Sequence, residues 1–154
     1  MLRVDSVGHM AVDVVSEIEI ARPRGEVATF AADPANATAW YKNIKSIDWE
    51  TSPPAVVGSR VRFVARFLGR TLDYTYEVRE IDPGHRFVMS TAQGPFPMET
   101  TYTWEDAGAG VTRMTLRNRG EPSGFAKVSA PLMTRAMRRA NEADLRKLKE
   151  LLEA

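Results

Sequence analysis

The feature that most constrains the fold is a long amphipathic pattern at the end of the chain, residues 122–154. At about 100° per residue, one stripe carries Met133, Met137, Ala140, Leu148, Leu151 and Leu152, with Leu145 at its edge. The opposite side carries Arg135, Arg138, Arg139, Glu142, Arg146, Lys149 and Glu153. The pattern predicts one helix, which at 1.5 Å per residue would be about 45 Å long. Its apolar stripe needs a broad surface, and we expect that surface to be a sheet.

Before this helix, alternation of apolar and polar residues predicts seven strands. The first, residues 12–20, places Val14, Ser16, Ile18 and Ile20 on one face. The others are predicted at residues 44–50, 59–68, 71–80, 86–91, 98–105 and 111–119. Short turns rich in glycine and proline join most of them, which is typical of an antiparallel meander.

Two short helices are predicted between the first and second strands, at residues 23–32 and 34–41. Each opens with a proline suited to a first helical turn, and Asp33 is placed as the N-cap of the second. The predicted fold class is α+β, a curved antiparallel sheet of about seven strands wrapped around the long C-terminal helix. We expect residues 11–154 to form a single domain and residues 1–10, which lack periodicity, to be a disordered leader.

Composition argues against several classes of function. With 21 Lys and Arg against 20 Asp and Glu among 154 residues, the net charge of +1 offers no electrostatic case for binding nucleic acid. The absence of cysteine and the presence of only 2 histidines give poor support for a metal site or a nucleophilic triad. No glycine-rich phosphate loop is present, so we expect neither metal nor cofactor. Apolar runs are too short to span a membrane and the start is not signal-like, so we expect a cytoplasmic monomer or homodimer with no integral membrane association.

The outer faces of the third and fourth predicted strands match in charge. Arg60, Arg62 and Arg66 alternate along one strand, and Asp73 and Glu77 along its hairpin partner. Opposite charges on paired strands are typical of a solvated face, so we interpret this arginine row as structural. Arg62 or Arg66 could reach an internal site only if the predicted register were wrong by one residue.

Aromatic and methionine side chains dominate the predicted inner faces. The candidates to line an internal ligand-binding cavity are Trp40, Phe63, Phe67, Tyr74, Tyr76, Phe87, Met89, Met98, Tyr102, Trp104, Met114, Asn118, Met133, Met137 and Asn141. Such side chains suit an adaptable apolar pocket with a few polar groups. The same residues could instead pack a solid core. The hydroxyls of Tyr74, Tyr76 and Tyr102 favour a cavity, because a dry core must satisfy each of them.

Asp144 lies in the middle of the apolar stripe, with Asn141 one turn earlier, where a charge is costly unless it is paired or hydrogen-bonded. One interpretation is a polar pair that faces a ligand, with Asp144 as a proton acceptor of raised pKa. The interpretation we favour is structural, with Asp144 accepting backbone N–H groups or pairing with an arginine where the helix crosses the sheet.

Several short motifs accompany this order of elements. They are residues 20–23 leading into Val27-Ala28-Thr29-Phe30, the break Asp33-Pro34, Trp40, Gly58, Asp82-Pro83-Gly84 with Arg86-Phe87, Gly110-Val111-Thr112-Arg113, and Ala143-Asp144-Leu145 with Leu148-Lys149. Over residues 12–154 the chain resembles the START-like (SRPBCC) superfamily with its helix-grip fold, particularly the polyketide cyclase/dehydrase-like branch. The resemblance implies a cavity that binds lipids, sterols, polyketides or other apolar molecules, and some members are cyclases.

The resemblance also implies how catalysis would work here. Cyclase members hold a flexible chain in one conformation while a few polar groups move protons. Tyr74, Tyr102 and Asp144 are the catalytic candidates for this chemistry, with Tyr76 and Asn118 as further polar groups.

Three functional hypotheses follow from the sequence. The first is binding of a small hydrophobic ligand, such as a lipid, a polyketide or another aromatic metabolite, in the cavity and without a cofactor. The second is a cofactor-free polyketide cyclase or dehydratase that uses acid/base residues in the same cavity. The third is a protein-interaction module that docks a partner through the exposed long helix or the arginine row.

Overall fold

In this computed structural model, residues 12–121 and 129–154 are described, and they contain one seven-stranded antiparallel sheet. The strands are β1 Val12–Ile20, β2 Ile44–Trp49, β3 Arg60–Phe67, β4 Arg70–Asp82, β5 Arg86–Gln93, β6 Met98–Gly108 and β7 Val111–Gly120. Their spatial order is β1-β7-β6-β5-β4-β3-β2, so β2 to β7 form a meander and β1 pairs with the last strand. The sheet is curved into a half-barrel, which confirms the predicted helix-grip architecture.

Between β1 and β2 lie the helix α1, Arg24–Ala31, and the one-turn helix α2, Ala37–Trp40. The predicted second helix is therefore shorter than residues 34–41, because a 3₁₀ turn, Pro34–Asn36, precedes it. Asp33 caps that turn as predicted, since its side chain accepts a hydrogen bond of 2.9 Å from the backbone N–H of Ala35.

The long helix α3 spans Ala130–Glu153, 24 residues, or about 36 Å. It begins later than residue 122 because Ser129 caps it, accepting a hydrogen bond from the backbone N–H of Leu132 at 3.3 Å. The part of the predicted helix at residues 122–128, like the predicted leader at residues 1–10, lies outside the described residues. Within the described ranges, no helix is long and apolar enough to cross a lipid bilayer.

The register of the β3–β4 hairpin agrees with the predicted alternation. Phe63 pairs with Tyr74 on the inner face. On the outer face Arg62 binds Asp73 at 2.6 Å and Arg60 binds Glu77 at 3.1 Å. The arginine row is thus engaged with the neighbouring strand.

Helix α3 covers β1 and buries Met133, Asn141, Asp144, Leu145 and Leu148. The prediction that Leu151 belongs to the buried stripe is wrong, because this side chain is 38% exposed. Leu151 lies two residues before the end of α3 at Glu153, and there it is Leu152 that packs against the core.

Candidate ligand-binding site

A cavity of about 130 Å³, counted as the space in which the centre of a water molecule fits, lies between the inner face of the sheet and α3. A single water needs only about 10–15 Å³. Strands β3 to β7 form one wall, the segment around α2 forms a second, and α3 closes the space. The side chains of the curved sheet and of α3 therefore leave part of the interior unfilled.

Most of the predicted ligand-binding residues surround this cavity. The structure brings together Phe63, Phe67, Tyr74, Tyr76, Phe87, Met89, Met98, Tyr102, Asn118, Met133, Met137 and Asn141, and it adds Asp144. The wall is predominantly apolar and aromatic, with isolated amide, hydroxyl and carboxyl groups.

Three predicted members are not on this wall. Trp104 and Met114 are buried side by side in the core, where β6 and β7 pair and where α1 packs against both strands. Trp40 is 1% exposed, and its ring packs against those of Tyr41 and Tyr102, with centroids 4.3 Å and 5.7 Å away. Tyr41 and Tyr102 line the cavity, whereas Trp40 packs behind them.

Tyr41, Phe96 and Thr100 also line the cavity, although they are not among the predicted ligand-binding residues. Tyr41 was predicted as the last residue of a helix, but the helix α2 ends at Trp40 and Tyr41 follows it in extended conformation. Phe96 lies in the loop between β5 and β6, where no periodicity predicts the orientation of its side chain. Thr100 also lines the cavity, and the alternation of β6 places it between Met98 and Tyr102 on the inner face. That alternation was a signal that could have identified Thr100.

Asp144 has both features that the sequence left as alternatives. One carboxylate oxygen, Oδ1, accepts a hydrogen bond of 3.0 Å from the backbone N–H of Lys42, as the structural interpretation requires. The residue is 3% exposed and also lines the cavity. Burial raises the pKa of Asp144 to about 6, against the opposing effects of the Lys42 backbone N–H and the Lys42 charge.

The hydroxyls of Tyr41 and Tyr102 lie 2.7 Å apart on the cavity wall. Burial raises the pKa of both phenols well above the ordinary value, so both remain protonated at neutral pH. In such a pair one O–H donates to the other oxygen, and the second O–H stays available to a further acceptor. The pair can therefore offer one O–H to an acceptor in the cavity.

A second polar feature of the wall is a row of three hydrogen bonds formed by Tyr76, Thr100, Asn118 and Asn141. Tyr76 Oη and Thr100 Oγ1 are 2.9 Å apart, Thr100 Oγ1 donates to Asn118 Oδ1 at 2.6 Å, and Asn118 Nδ2 donates to Asn141 Oδ1 at 2.8 Å. The row thus joins β4, β6 and β7 to α3. At its end, Asn141 Nδ2 is buried and has no hydrogen-bond partner among the residues that the structure describes.

Within the described ranges, no group of three or more His, Cys, Asp or Glu side chains could hold a metal ion. His85 is exposed in the turn between β4 and β5, and its Nε2 lies 3.0 Å from the guanidinium of Arg24.

The curved sheet that grips the long C-terminal helix defines a helix-grip protein of the START-like class. The family described as polyketide cyclase / dehydrase and lipid transport matches residues 11–153, and the chain belongs to that family. No curated protein sequence matches the chain.

Several solved structures share the fold. A START superfamily protein from Mycobacterium smegmatis has a TM-score of 0.78 at 16% identity, with 92% of this chain and 97% of that chain covered. The protein TTHA0849 from Thermus thermophilus has a TM-score of 0.75 at 24% identity, with 90% and 94% covered. The Zhui aromatase/cyclase from Streptomyces sp. R1128 has a TM-score of 0.74 at 15% identity, with 92% and 93% covered. At these identities the similarity establishes the fold alone.

Proposed function

We propose that the protein binds a small hydrophobic molecule, such as a lipid, a polyketide or another aromatic metabolite, in the cavity between sheet and α3. The observation that carries this proposal is the cavity itself, about 130 Å³ of interior with a mainly apolar and aromatic wall. Atoms that line an empty space lose the dispersion contacts of a packed core, and an apolar ligand would restore them while leaving water.

The first experiment is native mass spectrometry of freshly purified protein, paired with an organic extract of the same sample. Extra mass that survives gentle ionisation and reappears in the extract is the expected result, and it would identify the ligand class. Bare protein whose tryptophan emission is unchanged by fatty acids, sterols and aromatic polyketides would instead support the solid core. Tryptophan emission suits this titration because Trp40 and Trp104 lie 5.7 Å and 6.0 Å, centroid to centroid, from the wall residue Tyr102.

A matched pair of variants separates binding in the cavity from binding elsewhere. Ala140 lines the cavity, so Ala140→Phe places a ring in the unfilled space and should abolish the bound mass while the protein stays folded. Arg139 is the adjacent, exposed position on α3, so Arg139→Phe adds the same ring outside the cavity and should leave the bound mass unchanged. Equal loss in both variants, or in neither, contradicts the proposed location.

The alternative is a cofactor-free polyketide cyclase or dehydratase in the same cavity. Asp144 favours it, because a cavity-lining carboxyl with a pKa of about 6 can accept and return a proton near neutral pH. The O–H that the Tyr41–Tyr102 pair leaves available would donate to an oxygen of the substrate. The paired hydroxyls would also orient the chain that is to be closed.

Substitution of Asp144, Tyr74 and Tyr102 distinguishes these two functions. In a cyclase, Asp144→Asn should abolish turnover of a poly-β-ketone substrate while binding persists, and Tyr74→Phe and Tyr102→Phe should reduce it. In a binding protein the same three changes should alter only the dissociation constant. Product analysis by mass spectrometry beside calorimetric affinities provides the readout.

A further inference from the structure

The hydrogen bonds in the row of Tyr76, Thr100, Asn118 and Asn141 have a definite direction. Thr100 donates its single O–H to Asn118 Oδ1, so the Tyr76 O–H must be the donor to Thr100 Oγ1. Asn118 then uses an N–H to reach Asn141 Oδ1. Every donor in the row therefore points from the sheet towards α3.

If the side-chain amides of Asn118 and Asn141 are both flipped, the direction of every hydrogen bond in the row is reversed and fewer of its polar groups are paired. Asn141 would then donate to Asn118, Asn118 to Thr100, and Thr100 to Tyr76. The Tyr76 O–H, on a side chain that is 6% exposed, would be left without an acceptor in the row. Because an unpaired buried O–H is costly, the direction from sheet to helix is the favoured one.

In this direction the row ends on a donor. The Asn141 side chain is 3% exposed and lines the cavity, its oxygen is occupied by Asn118, and its Nδ2 has no partner within the described part of the chain. A buried N–H is costly when it is unpaired, and because Asn141 lines the cavity, an acceptor held in the cavity could satisfy Nδ2.

The charges around the cavity restrict that acceptor further. Asp144 lies three residues after Asn141, so the two side chains are neighbours on one face of α3. Among the described residues, Arg119 is the one cation on the cavity wall, and it forms an ion pair with Glu99. Lys42, whose charge acts on Asp144, is exposed and is not on the cavity wall. A carboxylate beside Asn141 would therefore meet the negative charge of Asp144 with no cation on the wall to pair with it, whereas a neutral oxygen would avoid this repulsion.

We propose that the ligand carries a neutral carbonyl oxygen and that Asn141 Nδ2 donates a hydrogen bond to it. The inference rests on the proposed function, since it specifies the chemical class of the molecule that occupies the same cavity. It assigns Asn141 a role in selecting the ligand, supported through Asn118 and Thr100 by the sheet.

Three naphthalenes of nearly identical shape provide the test: 2-acetylnaphthalene, its hydrocarbon isostere 2-isopropenylnaphthalene, and 2-naphthoate. Calorimetry at pH 7.5 should show that the ketone binds on the order of tenfold more tightly than the hydrocarbon and more tightly than the carboxylate. If the hydrocarbon binds as well as the ketone, or the carboxylate binds best, the carbonyl inference is wrong and the proposed apolar site stands. If none of the three binds, both proposals fail.

Variants locate the preference at Asn141. Asn141→Leu removes the donor and should reduce the ketone's advantage over the hydrocarbon to less than about twofold. Asn141→Asp keeps the oxygen that accepts from Asn118 and removes the N–H, so it should also lose the preference for the ketone over the hydrocarbon. It provides a second test if Asn141→Leu folds poorly. Met137→Leu is the matched control one turn earlier, and it should change the affinities for ketone and hydrocarbon equally. A preference that survives both Asn141 variants contradicts the assignment.

The infrared spectrum of the ketone bound to the wild-type protein is a further test, and its outcome does not depend on whether a variant folds. The carbonyl stretch of bound 2-acetylnaphthalene, isolated by ¹³C=O minus ¹²C=O infrared difference spectra, should lie at lower frequency than in hexane, because a donated hydrogen bond weakens the C=O bond. A frequency equal to that in hexane would overturn the inference.

Discussion

Asp144 joins the long helix to the segment after α2, because its Oδ1 accepts a hydrogen bond of 3.0 Å from the backbone N–H of Lys42. The same carboxyl group lies on the cavity wall and is 3% exposed. A single side chain therefore holds two elements of the fold together and provides the cavity with an acidic group.

The raised pKa of Asp144 predicts a pH dependence of stability. The pKa is about 6 in the folded protein, against an ordinary value of 3.8, so the unfolded chain releases this proton first as pH rises. Between about pH 4 and pH 6 the ionisation of Asp144 should lower the free energy of unfolding by at most about 3 kcal/mol, and the effect should level off above pH 6. Other carboxyls titrate in the same range, so the effect must be measured by difference.

Asp144→Asn provides that difference. The amide oxygen still accepts the Lys42 N–H but does not ionise. The free energy of unfolding of the variant minus that of the wild type, from urea denaturation at several pH values, should therefore rise between about pH 4 and pH 6. A difference that stays flat across this range would contradict the raised pKa.

The hydrogen-bonded row predicts a contrast between two neighbouring threonines of β6. Thr100→Val removes the partner of both Tyr76 and Asn118, and should destabilise the protein by roughly 2–3 kcal/mol because two buried polar groups are left unpaired. Thr101 points to the other face of the sheet and takes no part in the row, so Thr101→Val leaves Tyr76 and Asn118 paired and should cost less than about 1 kcal/mol. Urea denaturation measures both, and similar losses would count against the row.

Two leucines of α3 that the sequence placed on one stripe should differ in their contribution to stability. Leu148 is fully buried at 0% exposure, so Leu148→Ala leaves a core cavity and should cost about 2–5 kcal/mol. Leu151 is 38% exposed, and Leu151→Ala should cost less than about 1 kcal/mol. Equal costs in thermal or urea unfolding would show that α3 packs in another rotation.

Gly94 and Gly25 should respond in opposite directions to alanine. A Cβ on Gly94 would lie 2.9 Å from the Cβ of Tyr74, so Gly94→Ala forces this wall residue to move and should destabilise the protein by about 1–3 kcal/mol. A Cβ on Gly25, in α1, meets nothing within 4 Å, and Gly25→Ala should stabilise the protein by about 0.5–1 kcal/mol. Calorimetric melting of both variants tests the pair, and a neutral Gly94→Ala would contradict the close contact with Tyr74.

Period-two alternation was sufficient to predict the strands and their inner faces, and the single amphipathic stripe to predict the covering helix. It could not separate Tyr102 from Trp104, which are two residues apart on the same face of β6. One lines the cavity, and the other is buried where α1 packs. Alternation reports which face a side chain occupies, whereas its surroundings along the strand depend on which helix crosses there.

The position of Tyr41 and the unpaired amide of Asn141 are likewise not predicted by local sequence patterns. Tyr41 lies beside Tyr102 because α2 ends against β6, a contact between parts of the chain 61 residues apart. Asn141 Nδ2 is unpaired because of how the donors and acceptors of β4, β6, β7 and α3 pair with one another. This pairing depends on contacts between elements, which no local sequence pattern predicts.

Local patterns in the chain were enough to establish the fold class, the strand order of the meander, the outward direction of the arginine row and the presence of polar groups on an apolar helix stripe. These depend on periodicity, which the chain carries in every segment. Packing in three dimensions was needed to establish that the interior stays partly open, that Asp144 bonds to Lys42 while lining the cavity, and that the polar row ends on an unpaired amide. Those features depend on the curvature of the sheet and the path of α3 across it, because distances between elements are set by packing and not by the sequence of any one of them.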